Sequence, residues 1–297
     1  MATLYTHADS NIRKTWILLT LFLVLIIGLG WFFSYVLDNS VFLIFAIILS
    51  IVQSFASFWY SDKIVLAMTG AKEIQKKDNP ELYRIVENLA ITAGLPAPKI
   101  YIINEAQPNA FATGRDEKHA VIAVTTGLLE KLEKIELEGV IAHELSHIGN
   151  KDMLLGTVIV VLVGIVALLS RMFLRISFYS GGRRKRDKNS SAGIIMILGP
   201  IGAILAPVVA VLIQLAVSRK REYLADATGA LLTRYPEGLA RALEKISQDR
   251  TPLRTADTST AHLYISNPFK EKNWLAGLFS THPPVKERLK ALRGMKV

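Results

Sequence analysis

Four stretches of this chain run without a single charge. Trp16–Leu37 does so for 22 residues, Val41–Tyr60 for 20, Met153–Ser170 for 18 and Ser190–Ser218 for 29. A helix of about 20 apolar residues spans the roughly 30 Å hydrocarbon core of a bilayer. The blocks therefore predict four hydrophobic helices in two pairs. The first is expected to stay as an anchor, because its apolar core is too long for a cleaved signal and no small-residue cleavage site precedes the second block. The intervals divide the chain into an anchor region over 1–60, a polar part over 61–152, a second hydrophobic pair over 153–218 and a second polar part over 219–297. Together the two polar parts are long enough to bury one core.

Charge gives the orientation. Only Asp38, Asn39 and Ser40 separate the first two blocks, so these form a hairpin. Arg13 and Lys14 precede it, and Lys63, Lys72, Lys76 and Lys77 follow it, while its tip holds no cation. Basic residues flank the cytoplasmic ends of membrane helices, which places the N-terminus and the polar part over 61–152 in the cytoplasm. The same flanks account for the net charge of +10. Nucleic-acid binding would need a basic face interleaved with aromatics, and the sequence has no such constellation. The absence of cysteine excludes disulfides and thiolate metal sites.

The polar parts read as α+β. Asn79-Pro80 offers a cap and a proline at the first helical position, followed by the apolar stripe Leu82, Ile85, Val86 and Leu89 and a stop at Gly94. Lys99–Asn104 (KIYIIN) and His119–Thr125 (HAVIAVT) read as strands, with a shorter one over Asn109–Gly114 (NAFATG). Helices are predicted over 127–133, 135–150, 219–232, 237–248 and 283–293.

The chemistry concentrates in Val140–Leu154, VIAHELSHIGNKDML. Positions i and i+4 share a helix face, so His143 and His147 can offer two imidazoles to one ion. Glu144, one residue on, can reach a water on that ion without displacing it. Catalytic zinc takes three protein ligands and keeps an open position; it lowers the pKa of its water to about 7 and polarises a carbonyl, while the glutamate takes the proton. H-E-x-x-H arises by chance in about one chain in a hundred of this length, so context must sharpen it. The surrounding Val140, Ile141, Ala142, Leu145 and Ile148 make the helix largely buried, and buried histidines need partners. A further ligand must come from elsewhere. Ser218–Gly229 (SRKREYLADATG) offers Glu222 as a ligand and Asp226, one turn on, as an acceptor for a histidine N–H. His7, His119, His262 and His282 are the remaining histidines; the first three are expected to be structural or surface residues.

The H-E-x-x-H helix followed by a distant E-x-x-x-D helix resembles the gluzincin metalloproteases. With the four hydrophobic blocks, NAFATG and the terminal STHPPVKERLKAL, the order of motifs along nearly the whole chain resembles the HtpX family of membrane-bound zinc endopeptidases and, more distantly, the type I CAAX prenyl proteases. The resemblance implies a Zn2+ ion held by His143, His147 and Glu222, with Glu144 as general base. It implies a multi-pass protein of the bacterial inner membrane, in contact with the lipid bilayer, that cleaves damaged or misfolded membrane proteins at the cytoplasmic face as protein quality control under stress. NAFATG resembles the edge-strand region beside the family's active site, where Asn109, Ala110, Phe111 and Ala112 would hold a substrate backbone as an added strand. His282 resembles a position near that site, where it would hydrogen-bond the developing oxyanion; its other reading is a cap on the final helix.

Two other classes are open to such a sequence. A metal transporter would place ionisable groups inside the spans, and these hold almost none. A membrane scaffold with a structural zinc would close the fourth coordination position and leave Glu144 without a task. The second pair carries a conflict of its own. If both its blocks cross, their connection lies outside, yet it holds Arg183, Arg184, Lys185, Arg186 and Lys188. The family resemblance favours crossing; the basic loop opposes it.

Overall fold

The computed structural model describes residues 4–36, 38–181, 218–255, 257, 259–269 and 283–295, side chains at 4–8, 36 and 168–181 excepted. Helices α1 (Leu4–Val36) and α2 (Val41–Trp59) form the expected hairpin. Both are long and apolar enough to cross a membrane. Their outer faces leave Leu21, Val24, Trp31, Ile44, Phe45, Ile48, Ile51 and Val52 exposed. An apolar band of this extent marks a lipid-facing surface. The inner face of α1, through Leu18, Leu19, Phe22 and Ile26, packs against Leu155, Ile159, Leu162 and Val166 of α7 (Asp152–Gly181). The first block of the second pair thus begins a 30-residue helix that lies on the first pair. Residues 182–217, which carry the basic connection and nearly all of the second block, lie outside the described residues, so the four-helix expectation is met here only as far as α1, α2 and the start of α7.

After α2 come two elements that periodicity does not predict: α3 (Ser61–Thr69), ended by Gly70 at φ 65°, and β1 (Lys72–Glu73). Nine residues and two residues are too few for a pattern to declare itself. Helix α4 (Pro80–Ala93) follows the caps as read. The Asn79 side chain accepts the Leu82 N–H at 3.0 Å, and Gly94 takes the left-handed turn at φ 67°.

Strands β2 (Lys99–Ile103), β3 (Ala110–Thr113) and β4 (Val121–Thr125) complete a four-stranded mixed sheet in the order β1-β2-β4-β3. β2 and β4 run parallel with Tyr101 beside Ala123, and β3 runs antiparallel to β4 with Phe111 beside Ala123. All five β4 residues are buried, as a central strand covered on both faces requires. Helices α5 (Thr126–Lys131), α6 (Lys134–Gly149), α8 (Arg219–Thr233), α9 (Pro236–Gln248) and α10 (Val285–Arg293) surround it. The main core joins α4, α6, α9 and the sheet through Ile85, Val86, Ile122, Val124, Ile141, Leu145, Leu239 and Leu243. A Cβ on Gly139 would come within 2.6 Å of the Leu239 backbone nitrogen, so α6 and α9 meet backbone to backbone at that glycine.

Candidate metal centre

The H-E-x-x-H residues sit on α6, with His143 and Glu144 buried and His147 partly so. The two imidazoles turn Nε2 toward Nε2 at 3.2 Å. From α8, Glu222 places Oε2 3.8 Å from His143 Nε2 and Oε1 3.6 Å from His147 Nε2. These donor atoms all lie within 4.8 Å of one another. Around a tetrahedral zinc with bonds of about 2.0–2.1 Å, neighbouring ligand atoms are about 3.3 Å apart. Two nitrogens and a carboxylate at this spacing fit one divalent cation.

Gly229 explains why α8 can come so close. A Cβ there would lie 3.0 Å from His143 N and 3.2 Å from His143 Cα. Glu222, Asp226 and Gly229 share one face of α8, so the bare glycine seats that face on α6 at the first histidine.

Each imidazole has a carboxylate behind it. His143 Nδ1 lies 3.0 Å from Asp226 Oδ1, and His147 Nδ1 lies 3.2 Å from Asp152 Oδ2. An N–H held at Nδ1 leaves the Nε2 lone pair facing the centre. The sequence reading named Asp226 and missed Asp152. On a continuous helix a residue five positions on points about 140° away. Here α6 ends at Gly149, Lys151 takes φ 55°, and the axis turns by 83° into α7, which returns Asp152 beneath His147. The positive φ of a lysine carries no sequence signal.

Arg288 is the second omission. It is 1% exposed, and its Nε and Nη2 donate to Asp226 Oδ2 and Oδ1 at 2.8 and 2.6 Å. Its Nη1 lies 3.7 Å from Glu222 Oε2. Burial alone would raise the Asp226 carboxyl, but Arg288 and His143 outweigh it and hold Asp226 well below the usual carboxylate range. Arg288 falls within STHPPVKERLKAL, where no local pattern marks an arginine as buried.

The surroundings favour positive charge at the centre. Burial opposes a proton on His147, yet the hydrogen bond to Asp152 and the charges of Glu222, Asp152 and Glu144 push its pKa up to about 9. The same acidic setting suits a metal cation. Glu144 lies beside the ligand set and accepts the Ala112 backbone N–H; burial pushes its carboxyl up, against the pull of the two histidines.

The cavity in front of these groups, about 50 Å³, is lined by Ala112, Glu144, Glu222, His262, Leu263 and Ile265 among others. One water needs about 10–15 Å³ of such space, so the cavity admits an ion together with a water. His262, expected to be structural or at the surface, is buried against the site with Nε2 3.0 Å from the Gly156 carbonyl. β3 is an edge strand beside the centre. Asn109 is buried and pairs through its amide with the Ser266 backbone, and the Ala110 carbonyl accepts the Ile265 N–H at 3.0 Å. Phe111 is in the core against Tyr264, ring centroids 5.2 Å apart, and Ala112 alone of the four lines the cavity. His282 lies outside the described residues.

The pattern of Peptidase family M48 matches residues 76–296. The chain belongs to peptidase family M48. Among curated relatives of this M48 member, the "Protease HtpX homolog" of Caldanaerobacter subterraneus subsp. tengcongensis is 47% identical over 99% of both chains. That of Dictyoglomus thermophilum is 45% identical over 99% of this chain and 95% of its own. That of Thermococcus sibiricus is 45% identical over 94% and 95%. A crystal structure of S. mikatae Ste24p shares the fold, with a TM-score of 0.50 and 23% identity over 94% of this chain and 67% of that one. The M48 match spans residues on both sides of the second hydrophobic pair. The protein is a membrane metallopeptidase, and neither a transporter nor an inert scaffold is favoured.

Proposed function

We propose that this M48 peptidase is a zinc endopeptidase that cleaves exposed segments of damaged or misfolded membrane proteins at the cytoplasmic face of the bacterial inner membrane. The observation that carries this reading is the pair of Nε2 atoms 3.2 Å apart with the Glu222 carboxylate facing both and Glu144 alongside. His143, His147 and Glu222 hold the ion, and Asp226 and Asp152 orient the two imidazoles. A bound zinc ion supplies Lewis acidity, polarising the scissile carbonyl and easing deprotonation of a water. Glu144 takes the proton of the attacking water and passes it to the leaving amine. The Ala112 N–H keeps one Glu144 oxygen in place. A substrate backbone runs along the Ala112 end of β3, and His282 hydrogen-bonds the developing oxyanion.

The cytoplasmic assignment is supported by the cations flanking the hairpin and by the position of the centre at the start of α7. The division into 1–60, 61–152, 153–218 and 219–297 is proposed with it, with both blocks of 153–218 crossing the bilayer. Single cysteines placed between Gly181 and Asn189 of this cysteine-free chain test the crossing. An impermeant thiol reagent is expected to label them from outside intact cells. Labelling only after the inner membrane is opened would mean that the pair never crosses.

Zinc chemistry is tested on the purified full chain with an unfolded soluble protein as substrate. Chelation is expected to abolish cleavage, and added zinc to restore it. Undiminished cleavage by verified metal-free protein would overturn the reading.

A further inference from the structure

The centre is joined to the first membrane helix by a side chain that no motif includes. Asn11, on α1, is 3% exposed. Its Nδ2 donates to Asp152 Oδ1 at 2.5 Å and lies 3.3 Å from the Asn150 carbonyl. Its Oδ1 accepts from Arg221 Nη1 at 3.5 Å, and Arg221 Nε lies 3.9 Å from Asp152 Oδ1. The other oxygen of Asp152 faces His147 Nδ1 at 3.2 Å. A continuous buried chain of polar contacts therefore runs from α1 through Asp152 to the second imidazole.

Asn11 is suited to this place because a carboxamide donates and accepts at once. One end bridges the carbonyl of Asn150 and the carboxylate of Asp152, which stand on either side of Lys151, the left-handed residue of the corner. The other end receives the cation of α8. A carboxylate with only one oxygen tied can rotate about its last bond; with both tied, it presents a fixed acceptor to His147.

We propose that Asn11 is a positioning residue of the metal centre: it locks the Asn150–Asp152 corner and the Asp152 carboxylate, so that the packing of the first membrane helix sets how firmly His147 is held for the ion. This rests on the metal reading above. The anchor supplies no ligand; it supports one, His147, through Asp152. Groups hydrogen-bonded directly to a ligand, as Asp152 is to His147, are worth about 10–100-fold in metal affinity, which is the upper bound for a residue acting through Asp152.

The test uses the full chain in nanodiscs, with zinc affinity read by competition against a chromogenic chelator and thermal midpoints taken with and without zinc. Asn11→Leu, close in size and apolar, is expected to lower zinc affinity by about 10-fold, the lower end of the range for a direct partner, and to shrink the upward shift that zinc gives the midpoint. Asn11→Gln, which keeps the amide, is expected to recover part of the loss. Thr15→Val is the control one turn along α1. Thr15 is buried and, among the described residues, its hydroxyl bonds within its own helix, to the Asn11 carbonyl, so wild-type affinity is expected. Wild-type affinity in Asn11→Leu, equal losses in Asn11→Leu and Asn11→Gln, or an equal loss in Thr15→Val would each overturn the proposal. Wild-type protein that takes up no zinc would instead overturn the metal reading itself.

Discussion

Glu144→Gln is expected to reduce peptide hydrolysis by about 10²–10⁴-fold while zinc content stays at the wild-type level. The two side chains have nearly the same volume, and the glutamine oxygen still accepts the Ala112 N–H that the carboxylate accepts now. His143, His147 and Glu222 form the donor cluster without Glu144, so the ion keeps its three ligands. The amide has no basic oxygen to take a proton, and that is the one function lost. Zinc analysis and cleavage of an unfolded protein on the same purified sample check both halves. Near-normal cleavage by the zinc-loaded variant would remove Glu144 from the mechanism. Lost zinc would move it into the ligand set.

Arg288→Met is expected to cost about 3–5 kcal/mol of stability, because it leaves the buried Asp226 carboxylate without its cation. Asp226 is fully buried, and both its oxygens are held by Arg288 at hydrogen-bond distance. Among the described residues, His143 Nδ1 would remain beside it. The double variant Asp226→Asn, Arg288→Met removes the buried charge together with its partner and keeps an oxygen for His143, so it is expected to recover much of the loss. Thermal midpoints of the metal-free full chain in detergent compare the three proteins. If Arg288→Met melts with wild type, the pair contributes little and α10 is held to α8 by its apolar contacts. If the double variant melts no higher than the single one, the loss comes from packing of the arginine stem.

What could be read without coordinates is what acts within one or two turns of chain. The uncharged blocks, the Asn79 and Gly94 caps and the i, i+4 histidines each follow from a period or a neighbour. Strand β3 was legible for the same reason, although its surroundings were not. Asn109 and Ala110 meet residues near 265, and Phe111 is in the core beside Tyr264. Alternation along four residues says which side chains share a face; it does not say which distant segment covers the edge.

By itself the sequence determined the hairpin, the longer helices and the strands β2, β3 and β4, the H-E-x-x-H face and, through resemblance, the family. The tertiary structure alone decided how the centre is assembled. Glu222 reaches the histidines because Gly229 lets α8 touch the α6 backbone. Asp152 reaches His147 because the chain turns by 83° at a left-handed lysine. Arg288 returns from the last helix to Asp226, and Asn11 arrives from the first. Those contacts join residues 5, 62, 79 and 141 positions apart. Helix and strand periods repeat every 3.6 and 2 residues and hold no information at such separations, or across a corner. Only the packing of one element on another brings these polar groups out of water and into reach of each other.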